Sequence, residues 1–119
     1  MIKNKIPKIT EKRHYQRLEC ELPVKLEVDG KTLNATSQNV SCGGMFLPWN
    51  DEENFEEKKE LIAFINLPDH AETIRLPAKI NRLEKDLKNK LKGIALEFQG
   101  LYDTNRLELD RYVKWKLLN

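Results

Sequence analysis

Val24-Lys25-Leu26-Glu27-Val28-Asp29-Gly30-Lys31 is the stretch on which the fold turns. Apolar residues at 24, 26 and 28 alternate with charged ones at 25 and 27, the period of a strand with one buried face. Asp29-Gly30 follows at once, and both positions tolerate the positive φ that a two-residue hairpin turn requires. The chain therefore doubles back. A strand over Leu18 to Val28 is expected to pair with one over Lys31 to Val40, which returns Asn39 and Ser41 to the neighbourhood of Arg17.

Outward from the hairpin the alternation continues. Met45 to Leu47 reads as a short third strand stopped by Pro48. Glu60 to Leu67 reads as a fourth, ended by the Pro68-Asp69 turn signal. Thr73 to Leu83 and Leu91 to Phe98 add two more across a polar turn at Leu87 to Lys90. Six strands with short connections predict a small antiparallel barrel, which removes exposed sheet edges by closing on itself. From Asp103, a suitable cap, Leu109, Val113 and Leu117 recur at helical spacing with Tyr112 beside them. Arg106, Asp110, Arg111 and Lys114 fall to the polar face on this reading. The expected fold class is all-β with a terminal helix packed on the barrel.

The chain of 119 residues has room for one domain, and 39% hydrophobic with 34% charged residues is too apolar a mixture for a disordered chain. Residues 1–16 read as a flexible basic arm and residues 17–119 as the barrel with its helix. No apolar run approaches the ~20 residues of a bilayer span. Ile2, Ile6 and Ile9 are scattered among polar residues and form no secretory signal, so a cytosolic location and no membrane insertion are expected. Cys20 and Cys42 lack a pairing framework or zinc spacing and read as reduced thiols. The net charge of +2 is weak for a partner of nucleic-acid polymers. It hides a basic segment, Met1 to Arg17, with six cations against Glu11, and an acidic one, Asp51 to Glu60, with six acids against Lys58 and Lys59.

Catalysis finds little support. His14 and His70 lie in the basic arm and in a turn, at no spacing that suggests a metal site or a nucleophile with its base. Gly43-Gly44 joins strand to strand, so no phosphate loop of a nucleotide fold is indicated. Neither an enzyme nor a cofactor or metal is expected.

Arg13-His14-Tyr15-Gln16-Arg17 together with Asn39-Val40-Ser41-Cys42-Gly43-Gly44 resembles the RxxxR and (D/N)xSxxG signatures of the PilZ domain, the bacterial receptor family for cyclic di-GMP. The resemblance extends to Met45-Phe46-Leu47 and to Gly93-Ile94-Ala95-Leu96-Glu97-Phe98, which is similar to the last barrel strand of that family. It implies a six-stranded PilZ-type barrel and a ligand site of Arg13, Arg17, Asn39, Ser41, Gly43 and Gly44. Lys12 and Tyr15 are secondary candidates: Lys12 would suit the doubled charge of an intercalated ligand pair, and Tyr15 would stack. Tyr15 and Trp49 are each better suited to plugging the barrel rim. The resemblance further implies that ligand binding orders the arm and that a downstream protein of motility, exopolysaccharide or regulatory machinery reads the result.

The physical chemistry of these residues agrees. In an extended segment, side chains four apart lie about 13 Å apart on one side, so Arg13 and Arg17 can grip different parts of one ligand. A guanidinium fork matches phosphate oxygens and the acceptor edge of guanine, and its plane stacks on bases. Asn39 and Ser41 alternate and face one side, while Gly44, with Gly43 able to share the task, permits positive φ or lets the backbone approach the base. Two rival readings are a PilZ-like adaptor acting by protein contact alone and a small basic barrel that binds RNA. Trp115, Leu117 and Leu118 offer spare apolar surface for a homodimer.

Overall fold

The computed structural model describes residues 17–50, 55–68, 73–100 and 104–118. The expected arm over residues 1–16, with Lys12, Arg13 and Tyr15, and the Asp103 cap lie outside the described residues.

Eight strands and one helix are described: β1 (Leu18–Glu19), β2 (Pro23–Val28), β3 (Lys31–Thr36), β4 (Asn39–Val40), β5 (Gly44–Pro48), β6 (Glu60–Ile65), β7 (Ile74–Lys85), β8 (Leu91–Phe98) and α1 (Thr104–Leu118). They form one antiparallel sheet in the order β1-β4-β5-β8-β7-β6-β2-β3. The hairpin turn has Asp29 at φ 52° and Gly30 at φ 77°, as the dipeptide requires. Its pairing runs from Val28↔Lys31 to Pro23↔Thr36.

The count of eight corrects the expected six, and the cause is a corner in the hairpin. The Ser37 hydroxyl donates to Cys20 O at 2.6 Å and accepts from Leu22 N at 2.9 Å, so a side chain takes a place in the ladder. Each arm breaks there, the first into β1 and β2 and the second into β3 and β4. The break has an architectural use. The β1-β4 pair stands at one end of the sheet order and β2-β3 at the other, so one hairpin supplies both ends and the sheet curls into a barrel-like shape.

Inward positions of the alternation supply the core. Leu22, Leu26, Leu47, Ile65, Leu76, Ile80 and Ile94 are fully buried, and each such side chain contributes about 1.5–3 kcal/mol over leaving it in water. At the far end of β5 from Gly44, Trp49 is buried and packs edge-on against Phe55 with ring centroids 5.1 Å apart. Trp49 is therefore the rim plug. The turn after β7 is held by Asp86, whose carboxylate accepts from Lys88 N and Lys90 N at 2.9 Å each. No helix among the described residues is long and apolar enough to cross a membrane.

Helix α1 buries Leu109, Tyr112 and Val113 against the sheet, as the spacing predicts, and Leu117 is partly buried with them. Arg106 is the departure: read as part of the polar face, it is only 8% exposed. The stripe 106, 109, 110, 113 has the i, i+3, i+4, i+7 geometry of a packed face, and position outweighs residue type. Trp115 and Leu118 are exposed.

Candidate functional site

The register of β1 against β4, Leu18↔Val40 and Glu19↔Asn39, brings the end of the basic segment to the Asn39 to Gly44 stretch. One position beyond the pairing, Arg17 precedes Leu18 and Ser41 follows Val40. Arg17 and Asn39 are both half-buried at this end of the sheet. Continuing this register by one position leads Arg17 towards Ser41, while Asn39 stands opposite Glu19; Arg13 lies outside the described residues.

Between β4 and β5 the chain makes a tight turn. Ser41 N donates to Gly44 O at 2.8 Å. The Ser41 hydroxyl accepts from Gly43 N and Gly44 N, each at 3.2 Å, and donates to Gly44 O at 3.3 Å. Its exposure is 8%. In this structure the serine therefore builds the turn, as side chains of its type commonly do by bonding the backbone two or three residues on. Gly43, Gly44 and Asn39 are themselves half-buried.

Gly44 has a steric reason of its own. A Cβ there would stand 2.0 Å from Leu96 O and 3.1 Å from Leu96 C, both backbone atoms of β8. Its φ is not positive, so of the two expected uses of Gly44 the left-handed one is absent, and the close approach of β8 is a requirement that the sequence reading did not contain. Phe98 N donates to Gly43 O at 2.8 Å, which ties the turn to the end of β8.

Behind the turn lies a cluster that the motif did not announce. Arg106 donates from Nε to Cys42 O at 2.9 Å and from an amino group to Phe98 O at 3.3 Å. The buried Cys42 thiol donates to Asp110 Oδ1, and Asp110 Oδ2 lies 3.3 Å from Lys114 Nζ. Burial is the first cause, and the hydrogen bond and charge of Asp110 the next, by which the Cys42 thiol is pushed up to about 12. The sequence signal for this cluster was the helical stripe joining Arg106 and Asp110 to Leu109 and Val113.

A testable consequence concerns reactivity, because the thiolate is the attacking species. At about pH 8 a thiol reagent is expected to label half-buried Cys20 and to spare Cys42 until denaturant is added. Alkali should act through the same group. The folded state keeps the Cys42 proton to about 12, whereas the unfolded thiol releases it near 9.0. The stabilisation is therefore whole below pH 9.0 and is lost as pH rises towards 12. Denaturant melts across that range should show a smaller loss for Cys42→Ser than for the native chain; equal losses would contradict the assignment.

The family model of the PilZ domain matches residues 11–115. An uncharacterised Bacillus subtilis protein, YpfA, is 25% identical over 112 residues, covering 92% of this chain and 52% of that protein. Among solved structures, the Bacillus subtilis inhibitor of motility (MotI/DgrA) superposes with a TM-score of 0.76 at 24% identity, covering 92% of this chain and 52% of that one. The PilZ domain of YcgR from Escherichia coli, solved with c-di-GMP, gives 0.70 at 17% identity, covering 86% of this chain and 88% of that one. These likenesses establish the fold. The chain spans about half the length of the Bacillus proteins it matches.

Proposed function

The chain belongs to the PilZ domain family, and we propose that it is a receptor for cyclic di-GMP that performs no reaction and signals to a protein partner by changing shape. The observation that carries this reading is the β1-β4 register, Leu18↔Val40 and Glu19↔Asn39, whose continuation leads Arg17 towards the Ser41 to Gly44 turn. Cyclic di-GMP offers two phosphates and two guanines. Arg13 and Arg17 would neutralise the first and stack on or pair with the second. Asn39 would meet the guanine edge as a neutral amide, so guanine discrimination should be weaker than an aspartate would give. Gly43 and Gly44 let the ligand approach the backbone. The Ser41 hydroxyl contributes by shaping the turn.

Binding in this way would fix residues 13–17 across the turn and present a new surface, the kind of local charge event that biases a two-state segment. Lys12 and Tyr15 are placed by sequence to extend the same surface. Calorimetry of the purified chain tests the receptor reading. Heat of binding is expected with cyclic di-GMP and none with cyclic di-AMP or GTP. Nil heat with cyclic di-GMP at about millimolar concentration, an affinity worth only about 4 kcal/mol, would leave the adaptor reading in its place. Steep weakening by salt with tolerance of any polynucleotide would instead favour RNA.

A further inference from the structure

We infer that Arg106 and Asp110 are positioning residues for the messenger site: they grip Cys42 from behind, fix the turn that carries Gly43 and Gly44, and couple the docking of α1 to ligand binding. The inference rests on the receptor reading for its second half only. Arg106 and Asp110 stand one helical turn apart and converge on a single residue, the guanidinium on the Cys42 carbonyl and the carboxylate on its thiol. Arg106 also holds Phe98 O, whose own amide donates to Gly43 O. The loop Arg106, Phe98, Gly43, Cys42 is thereby closed by three hydrogen bonds and the Cys42-Gly43 peptide bond.

The energetics favour a specific role over a general one. The guanidinium of a residue only 8% exposed is costly to bury unless its donors are satisfied. Here two of its donors meet main-chain carbonyls, and one of these belongs to the turn. Bonds of this charged kind are stronger than neutral ones. Asp110 links the same turn to Lys114 farther along the helix. A shift of the turn on ligand binding cannot leave α1 unaffected while these bonds persist, and by linkage the docking of α1 must favour one state of the turn.

Two readouts on the full-length chain test this. The first needs no ligand: amide hydrogen exchange in Arg106→Met. Exchange at Gly43 and Gly44 should quicken tenfold or more, while Leu76 and Ile80 in β7 keep native rates. Arg106→Lys should restore part of the protection. Unchanged exchange at the glycines, or equal quickening throughout the sheet, would overturn the proposal. The second is the Kd for cyclic di-GMP, expected to rise tenfold or more in Arg106→Met and in Asp110→Ala, and little in Asp110→Asn, which keeps the acceptor oxygen. Local loosening with an unchanged Kd would overturn the link to the messenger site. Absence of binding by the native chain would overturn the receptor reading instead, and the exchange pattern alone then decides whether these residues position the turn.

Discussion

Gly44→Ala is expected to destabilise the chain by about 3 kcal/mol or more, the upper range for forcing extra atoms into a packed region. The added Cβ would stand 2.0 Å from Leu96 O, and the obstacle is main chain, so no rotamer change relieves it. Strands β5 and β8 pair from Gly44↔Glu97 to Pro48↔Gly93. Separating them at Gly44 would strain the Phe98 N to Gly43 O bond and the Ser41 turn together. Gly30→Ala is the informative contrast: nothing lies within 4 Å of its Cβ position, but its φ is +77°. Its cost should be only the left-handed penalty of about 1–2 kcal/mol. Thermal unfolding followed by circular dichroism should show the ranking, with a drop in Tm of about 10 °C or more for Gly44→Ala. Near-native stability of that variant would contradict the close approach of the two strands.

Arg17→Ala should weaken cyclic di-GMP binding about 100-fold or more, the scale of removing a charged hydrogen-bonding partner together with a stacking surface. The ligand-free protein should keep its Tm within a few degrees. Arg17 is half-buried beside the two-residue β1 and lies outside the hydrophobic core. Arg17→Lys separates charge from shape: it preserves the positive charge and removes the fork, so most of the affinity should still be lost. Arg111→Ala removes an equal charge from the exposed face of α1, where Arg111 meets Glu108, and should leave binding unchanged. Calorimetry and melting curves of the three variants check the set. Equal weakening by Arg17→Ala and Arg111→Ala would reduce the site to diffuse electrostatics. A large loss of stability without ligand would make Arg17 a structural residue.

Period-two alternation made most of the sheet legible from sequence. Val24, Leu26 and Val28 are inward as read, and Asp29-Gly30 turns the chain as read. The corner was not legible, because it depends on one serine hydroxyl entering the ladder of a strand 15 residues away in sequence. Local propensity carries no trace of such a tertiary event. The role of Gly44 was hidden similarly: the sequence announces a glycine, whereas the atom that demands it, Leu96 O, belongs to a strand far along the chain. Arg106 shows a third kind of failure. Its place in the apolar stripe with Leu109 and Val113 was readable, but its residue type suggested solvent, and only the carbonyls of Cys42 and Phe98 make burial tolerable. At the site itself, the antiparallel pairing of the segment after Arg17 with Asn39-Val40 followed from hairpin arithmetic, while the internal satisfaction of Ser41 required coordinates.

The central claim is that cyclic di-GMP occupies the end of the barrel where the continuation of β1 leads Arg17 towards the Asn39 to Gly44 stretch. Backbone-amide NMR of the chain titrated with cyclic di-GMP tests it most directly. Perturbed amides are expected at Arg13, Arg17, Asn39, Gly43 and Gly44, with those of Trp49, Lys90 and Lys92 at the opposite end of β5 and β8 unmoved. Saturating ligand that shifts only that opposite end, or shifts nothing, would contradict the account.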